Sequence, residues 1–124
     1  MKDKNIPVIL QETLQNNTLQ VRAKVADDLW CFSDHFPQHP IVPGYLQLVW
    51  LEELAVKAFQ INSTQFSVER VKFHSPLGPG QEFLITARYN PDIQQISFSI
   101  ESDNRKISSG RLNYTLSNIS RTES

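Results

Sequence analysis

Gly44-Tyr45-Leu46-Gln47-Leu48-Val49-Trp50-Leu51-Glu52-Glu53-Leu54-Ala55-Val56-Lys57-Ala58-Phe59 decides the fold of this chain. It predicts one helix from Gly44 to about Gln60. Apolar groups occupy nearly all sides of its first half, and a helix that is apolar all round is buried on more than one face. Leu48, Leu51, Ala55 and Ala58 recur at helical spacing and should face whatever covers the helix. No second stretch of this kind occurs in the sequence.

The flanking segments read as strands. Leu19, Val21, Ala23 and Val25 alternate with Gln20, Arg22 and Lys24, the period of a half-buried strand. Phe83, Ile85, Ala87 and Tyr89 alternate in the same way, as do Ile96, Phe98 and Ile100. Strands are expected at about 7–15, 18–26, 65–74, 81–90, 93–101 and 105–116. Turn signals separate them at Gln15-Asn16-Asn17, Asn90-Pro91-Asp92 and Ser102-Asp103-Asn104. The expected class is α+β: a curved antiparallel sheet of about six strands wrapped around one long buried helix.

A length of 124 residues fits a single domain, with its core within about 7–116 and polar ends that fray. Hydrophobic residues make up 40% and charged residues 20%, a globular balance rather than a disordered one. The formal net charge of -1 carries no basic excess, which weighs against a nucleic-acid partner. The single Cys31 excludes an intramolecular disulfide and reads as a small buried residue. No apolar run is long enough to span a membrane, and Met1-Lys2-Asp3-Lys4-Asn5 does not open a secretory signal, so the expected address is cytoplasmic.

Between the second strand and the helix lies His35-Phe36-Pro37-Gln38-His39-Pro40-Ile41-Val42-Pro43-Gly44. Prolines at every third position stiffen it. It delivers two imidazoles to a helix start, where backbone N–H groups are free and carry partial positive charge. A glycine there lets a ligand oxygen approach the backbone. A histidine beside such donors can move a proton while the donors stabilise an oxyanion. The alternative is a structural proline-rich loop with two exposed histidines.

His35-Phe36-Pro37-x-x-Pro40-x-x-Pro43-Gly44 resembles the signature of the hotdog-fold 3-hydroxyacyl-[acyl-carrier-protein] dehydratases. Phe73-His74-Ser75-Pro76-Leu77-Gly78-Pro79-Gly80 is similar to that family's Phe-x-x-Pro-x-x-Pro-Gly turn. The order of elements agrees over roughly residues 7–116. The run Pro43-Gly44-x-x-Gln47-Leu48-x-Trp50 is similar to the dehydratase-like proteins of aryl-polyene-type lipid clusters.

The resemblance implies a homodimer with two active sites at its interface and an acyl thioester substrate, carried by an acyl carrier protein. It implies His35 as the acid–base and Gly44 as the N–H donor to the thioester carbonyl. Phe36, Pro43, Val49 and Trp50 join Gly44 as substrate-contacting positions. No cofactor is implied, because the thioester itself acidifies the adjacent C–H. The family's second catalytic group is an acidic side chain on the helix, and here that position is Val49. Glu53, one turn further along the same face, is the candidate replacement, with Glu52 beside it.

Other residues read more plainly. His39 falls in the motif's variable gap and His74 in the second turn, so both are expected at the surface. His35 and His39 lack a third ligand at suitable spacing, so no metal is expected. Gly110 marks a bulge or a close approach to a pantetheine arm. Lys57, Arg70, Lys72 and Arg88 read as scattered surface cations, or as contacts to an acidic carrier. Two further functions stay open: an acyl-thioesterase of the same fold, in which Glu53 or His39 activates water, and a non-catalytic acyl-binding subunit, for which Val49 is the main support.

Overall fold

The computed structural model describes residues 6–27, 41–62 and 65–115. They form strands β1 (Val8–Gln15) and β2 (Thr18–Lys24), helix α1 (Gly44–Phe59), and strands β3 (Gln65–Phe73), β4 (Glu82–Asn90), β5 (Gln95–Ser102) and β6 (Arg105–Thr115). All pairings are antiparallel, and the sheet order is β1-β2-β4-β5-β6-β3. This is the expected hotdog arrangement, with α1 lying over β4. Cys31, His35, Phe36 and His39, and the chain ends, lie outside the described residues.

Local chemistry explains the element ends. Asn16 and Asn17 both take positive φ (52° and 61°), as do Asp103 and Asn104 (53° and 61°). Two consecutive left-handed residues make the tight hairpin whose twist matches that of the strands, and Asn and Asp tolerate that region best after glycine. β5 begins at Gln95 rather than at 93, because residues 91–94 form the turn and leave Ile93 exposed. The helix stops at Phe59, with Gln60 left-handed at its end and its N–H donated to the Val56 carbonyl.

The inward sets are those the alternation predicts. Leu19, Val21, Ala23 and Val25 are buried, with Phe83, Ile85, Ala87, Ile96, Phe98 and Ile100 beside them. From the helix, Leu46, Trp50, Leu51 and Ala55 enter this core, while Leu48 and Ala58 are only partly buried at its margin. Trp50 stacks on Phe83, with ring centroids 5.8 Å apart and planes 14° apart. Phe59 meets Tyr89 at 5.0 Å. The helix therefore runs along β4 from Phe83 towards Tyr89. At that far end the Tyr89 and Tyr114 hydroxyls share a 2.5 Å hydrogen bond, and burial pushes the Tyr114 phenol upward in pKa.

One expectation changes. The helix is not covered all round: Tyr45 is 59% and Val49 40% exposed, on the side away from the sheet. A single sheet wraps one side of a helix, and this face is left open within the chain. Among the described residues both sheet edges, β1 and β3, are open as well. Every residue of β1 is exposed, and β3 leaves Val68 and Phe73 exposed.

β3 carries a register shift between Glu69 and Lys72, with Arg70 at φ 55°. The bulge brings Val71 onto Gly110 of β6, where an added Cβ would meet Val71 Cγ2 at 2.9 Å and Val71 Cα at 3.1 Å. Close strand approach gives this glycine a structural reason.

Candidate active site

The segments flanking α1 meet in a cleft of about 280 Å³ at the helix start. Ile41, Val42 and Gly44 line it from the chain entering the helix, Gln47 from the first turn, and Phe73 to Pro76 from the chain leaving β3. Two backbone bonds hold these pieces together. Val42 N–H donates to the Leu77 carbonyl (2.7 Å), and His74 N–H to the Ile107 carbonyl of β6 (2.8 Å). Leu77 itself is fully buried. Gly80 ends the segment at φ 77°, a conformation that favours glycine, and its N–H donates to the Val25 carbonyl. The second motif is thus a clamp that fixes the helix start against the sheet.

Pro43 stands at the N-cap with no side-chain capping bond, and no acidic residue lies in the first turn. Its carbonyl accepts from Leu46 N–H (3.1 Å) and Gln47 N–H (3.3 Å). Among the described residues nothing accepts from Gly44 N–H, so the helix start offers donors and positive potential to an anion or a polarised carbonyl.

The structure adds a packing reason for glycine at 44 to the sequence expectation. A Cβ there would fall 2.5 Å from the Phe73 ring. The glycine admits an aromatic side chain of the second motif, and with it the two motifs close on each other. Because Phe73 is 52% exposed, its ring can swing aside. Gly44→Ala is therefore expected at the low end of the roughly 1–3 kcal/mol that overpacking costs, and Gly110→Ala at the high end, because backbone opposes it. Urea denaturation of the two variants measures the difference.

Gln47 is the polar group that sequence reasoning left without a role. It is 3% exposed, and Ser108 of β6, fully buried, donates its hydroxyl to Gln47 Oε1 at 2.8 Å. Gln47 Nε2 donates to the Val42 carbonyl at 3.4 Å. The available signal was a glutamine set among apolar neighbours in the first helical turn.

The other candidates are dispersed. Pro43 is buried at the cleft entrance to the helix, and His74 stands exposed on its rim. Trp50 points into the core against Phe83 and does not line the cleft. Val49 and Glu53 share the exposed helix face and do not line it either. Lys57, Arg70, Lys72 and Arg88 are exposed. Among the described residues no three His, Cys, Asp or Glu side chains come together as a metal site. No helix among them is long and apolar enough to cross a membrane.

A family model described as ApeI-like, ApeI dehydratase, matches residues 11–111. The chain belongs to the ApeI-like dehydratase family. By sequence the chain is similar to the 3-hydroxyacyl-[acyl-carrier-protein] dehydratase FabZ of Streptococcus mutans, 28% identical over 97 residues, covering 70% of this chain and 69% of that protein. The FabZ of Gluconobacter oxydans is 35% identical over 63 residues, covering 44% of this chain. That match spans only 37% of the Gluconobacter protein's length.

Among solved structures, an uncharacterized protein from Erwinia carotovora superposes with a TM-score of 0.80 at 29% identity, covering 90% of this chain and 97% of that one. The dehydratase heterocomplex ApeI:P from Xenorhabdus doucetiae superposes at 0.78 and 24% identity, covering 87% and 96%. The second likeness supports the hotdog fold.

Proposed function

We propose that the protein dehydrates 3-hydroxyacyl thioesters to trans-2-enoyl thioesters, acting on acyl groups carried by an acyl carrier protein in the cytoplasm. The observation that carries the reading is the family match over residues 11–111, which takes in both motif segments bounding the cleft. In this reading the thioester carbonyl lies at the start of α1, where Gly44 N–H donates to its oxygen. His35 takes the proton from the carbon beside the carbonyl. The C–O bond at the 3-position then breaks, and the departing hydroxyl leaves as water after receiving a proton. Phe36 and Pro43 bound the substrate on the loop side.

Val49 neither donates nor accepts a proton. His35 therefore performs both transfers, or Glu53 or a water delivers the second. Val49→Asp, restoring the family's usual acid, is expected to leave turnover equal or raise it. Enoyl-thioester absorbance under saturating substrate measures this, and a large loss would count against a site in which this helix position faces substrate.

A twofold dimer belongs to the same reading. An open antiparallel edge tends to pair, and β3 is such an edge, ending at Phe73 over Gly44. The open face of α1 around Tyr45 and Val49 gives a second copy apolar surface to cover. Sedimentation is expected to show a dimer at micromolar concentration; a stable monomer would defeat this part of the proposal.

The sequence relatives named above are dehydratases by name, which favours elimination over thioester hydrolysis. Enoyl absorbance and free thiol followed together separate the readings. Enoyl change without thiol release supports dehydration. Thiol release without enoyl change moves the assignment to a thioesterase, and binding with neither signal makes the protein an acyl-binding subunit.

A further inference from the structure

The Gln47 amide has one more hydrogen-bond donor than the described residues use. The Val42 carbonyl can only accept, so the amide nitrogen must face it and Oε1 must face Ser108. Ser108 thereby fixes the orientation of the amide. Nε2 has two protons; one goes to Val42, and among the described residues nothing accepts the other. The side chain is 3% exposed and lines the cleft at Gly44. A buried donor without a partner is costly, and a ligand oxygen reaching the cleft would complete this one. Gln47 lies three residues after Gly44, one turn along the same side of the helix.

We propose that Gln47 Nε2–H is a second donor to the substrate's thioester carbonyl oxygen, beside Gly44 N–H, and that Ser108 is the positioning residue that holds the amide for this task. The inference rests on the dehydratase reading and assigns Gln47 a direct contact with substrate. Proton removal from the carbon beside the carbonyl moves negative charge onto that oxygen. A fixed donor there binds the enolate-like transition state more strongly than the ground state. The donor also requires no metal to polarise the carbonyl.

The test uses two probes on the full chain: an S-acyl pantetheine, and the matched S-alkyl pantetheine with a methylene in place of the carbonyl. Wild type is expected to prefer the acyl probe. Gln47→Met, which keeps length and apolar fit, is expected to abolish most of that preference. It should also lower kcat for enoyl-thioester hydration by about 10²–10³-fold, the effect of removing one oxyanion donor. Ser108→Ala, which releases the amide without deleting it, should give a smaller loss of the same kind. A merely structural role would weaken both probes alike, and that result overturns the inference.

Retained preference and rate in Gln47→Met also overturn it, while the dehydratase reading stands. If Gln47→Met does not fold, Ser108→Ala decides, and an unchanged preference and kcat there overturn the proposal. A wild type that binds neither probe and shows no enoyl change removes the dehydratase reading, and this inference with it.

Discussion

His35→Ala is expected to remove most hydration and dehydration of a 2-enoyl or 3-hydroxyacyl thioester, lowering kcat by about 10²–10⁴-fold, the usual contribution of a general acid–base. His35 lies nine positions before Gly44, with Pro37, Pro40 and Pro43 between them. Each proline restricts φ and the residue before it, so the sequence predicts a stiff segment between the imidazole and the helix start. Val49 makes the dependence sharper. With no acid at that helix position, loss of the imidazole leaves Glu53 or water as the proposed proton carriers, and Glu53 stands on the exposed face outside the cleft. Binding of an acyl thioester should survive, because Gly44 and the clamp from Phe73 to Gly80 are untouched. The measurement is enoyl absorbance together with a binding assay. Full turnover in the variant would remove His35 from the mechanism, and turnover shown to depend on Glu53 would transfer the role there.

Leu51→Ala is expected to destabilise the fold by about 2–5 kcal/mol, measured as a fall in urea midpoint at unchanged slope. Leu51 is fully buried on the sheet-facing side of α1, one position from the Trp50–Phe83 stack. The helix is the only one among the described residues, so a cavity beneath it cannot be filled by a neighbouring helix. Relaxation would have to come from the backbone of a six-stranded sheet, which yields little. A midpoint shift worth less than about 1 kcal/mol would show that the helix settles readily onto the sheet.

Periodicity alone determined the elements. Strand alternation needs only the two-residue repeat, which places Leu19, Val21, Ala23 and Val25 on one face whatever covers them. The paired asparagines at 16 and 17, and Asp103-Asn104, determined two hairpins through their tolerance of positive φ. The motif residues pointed to the start of the helix, because prolines and glycines act through local backbone geometry. Tertiary structure alone decided what each group touches. Gly44 is a glycine because Phe73, far along the chain, lays its ring over it. Gly110 is one because a bulge in β3 presses Val71 against it. Trp50 faces the core, and Tyr45 and Val49 face outward, because one sheet covers one side of a helix. The partnership of Gln47 with Ser108 joins residues 61 positions apart. No periodicity records it, because a hydrogen bond across the core depends on where two elements come to rest and not on the sequence around either one.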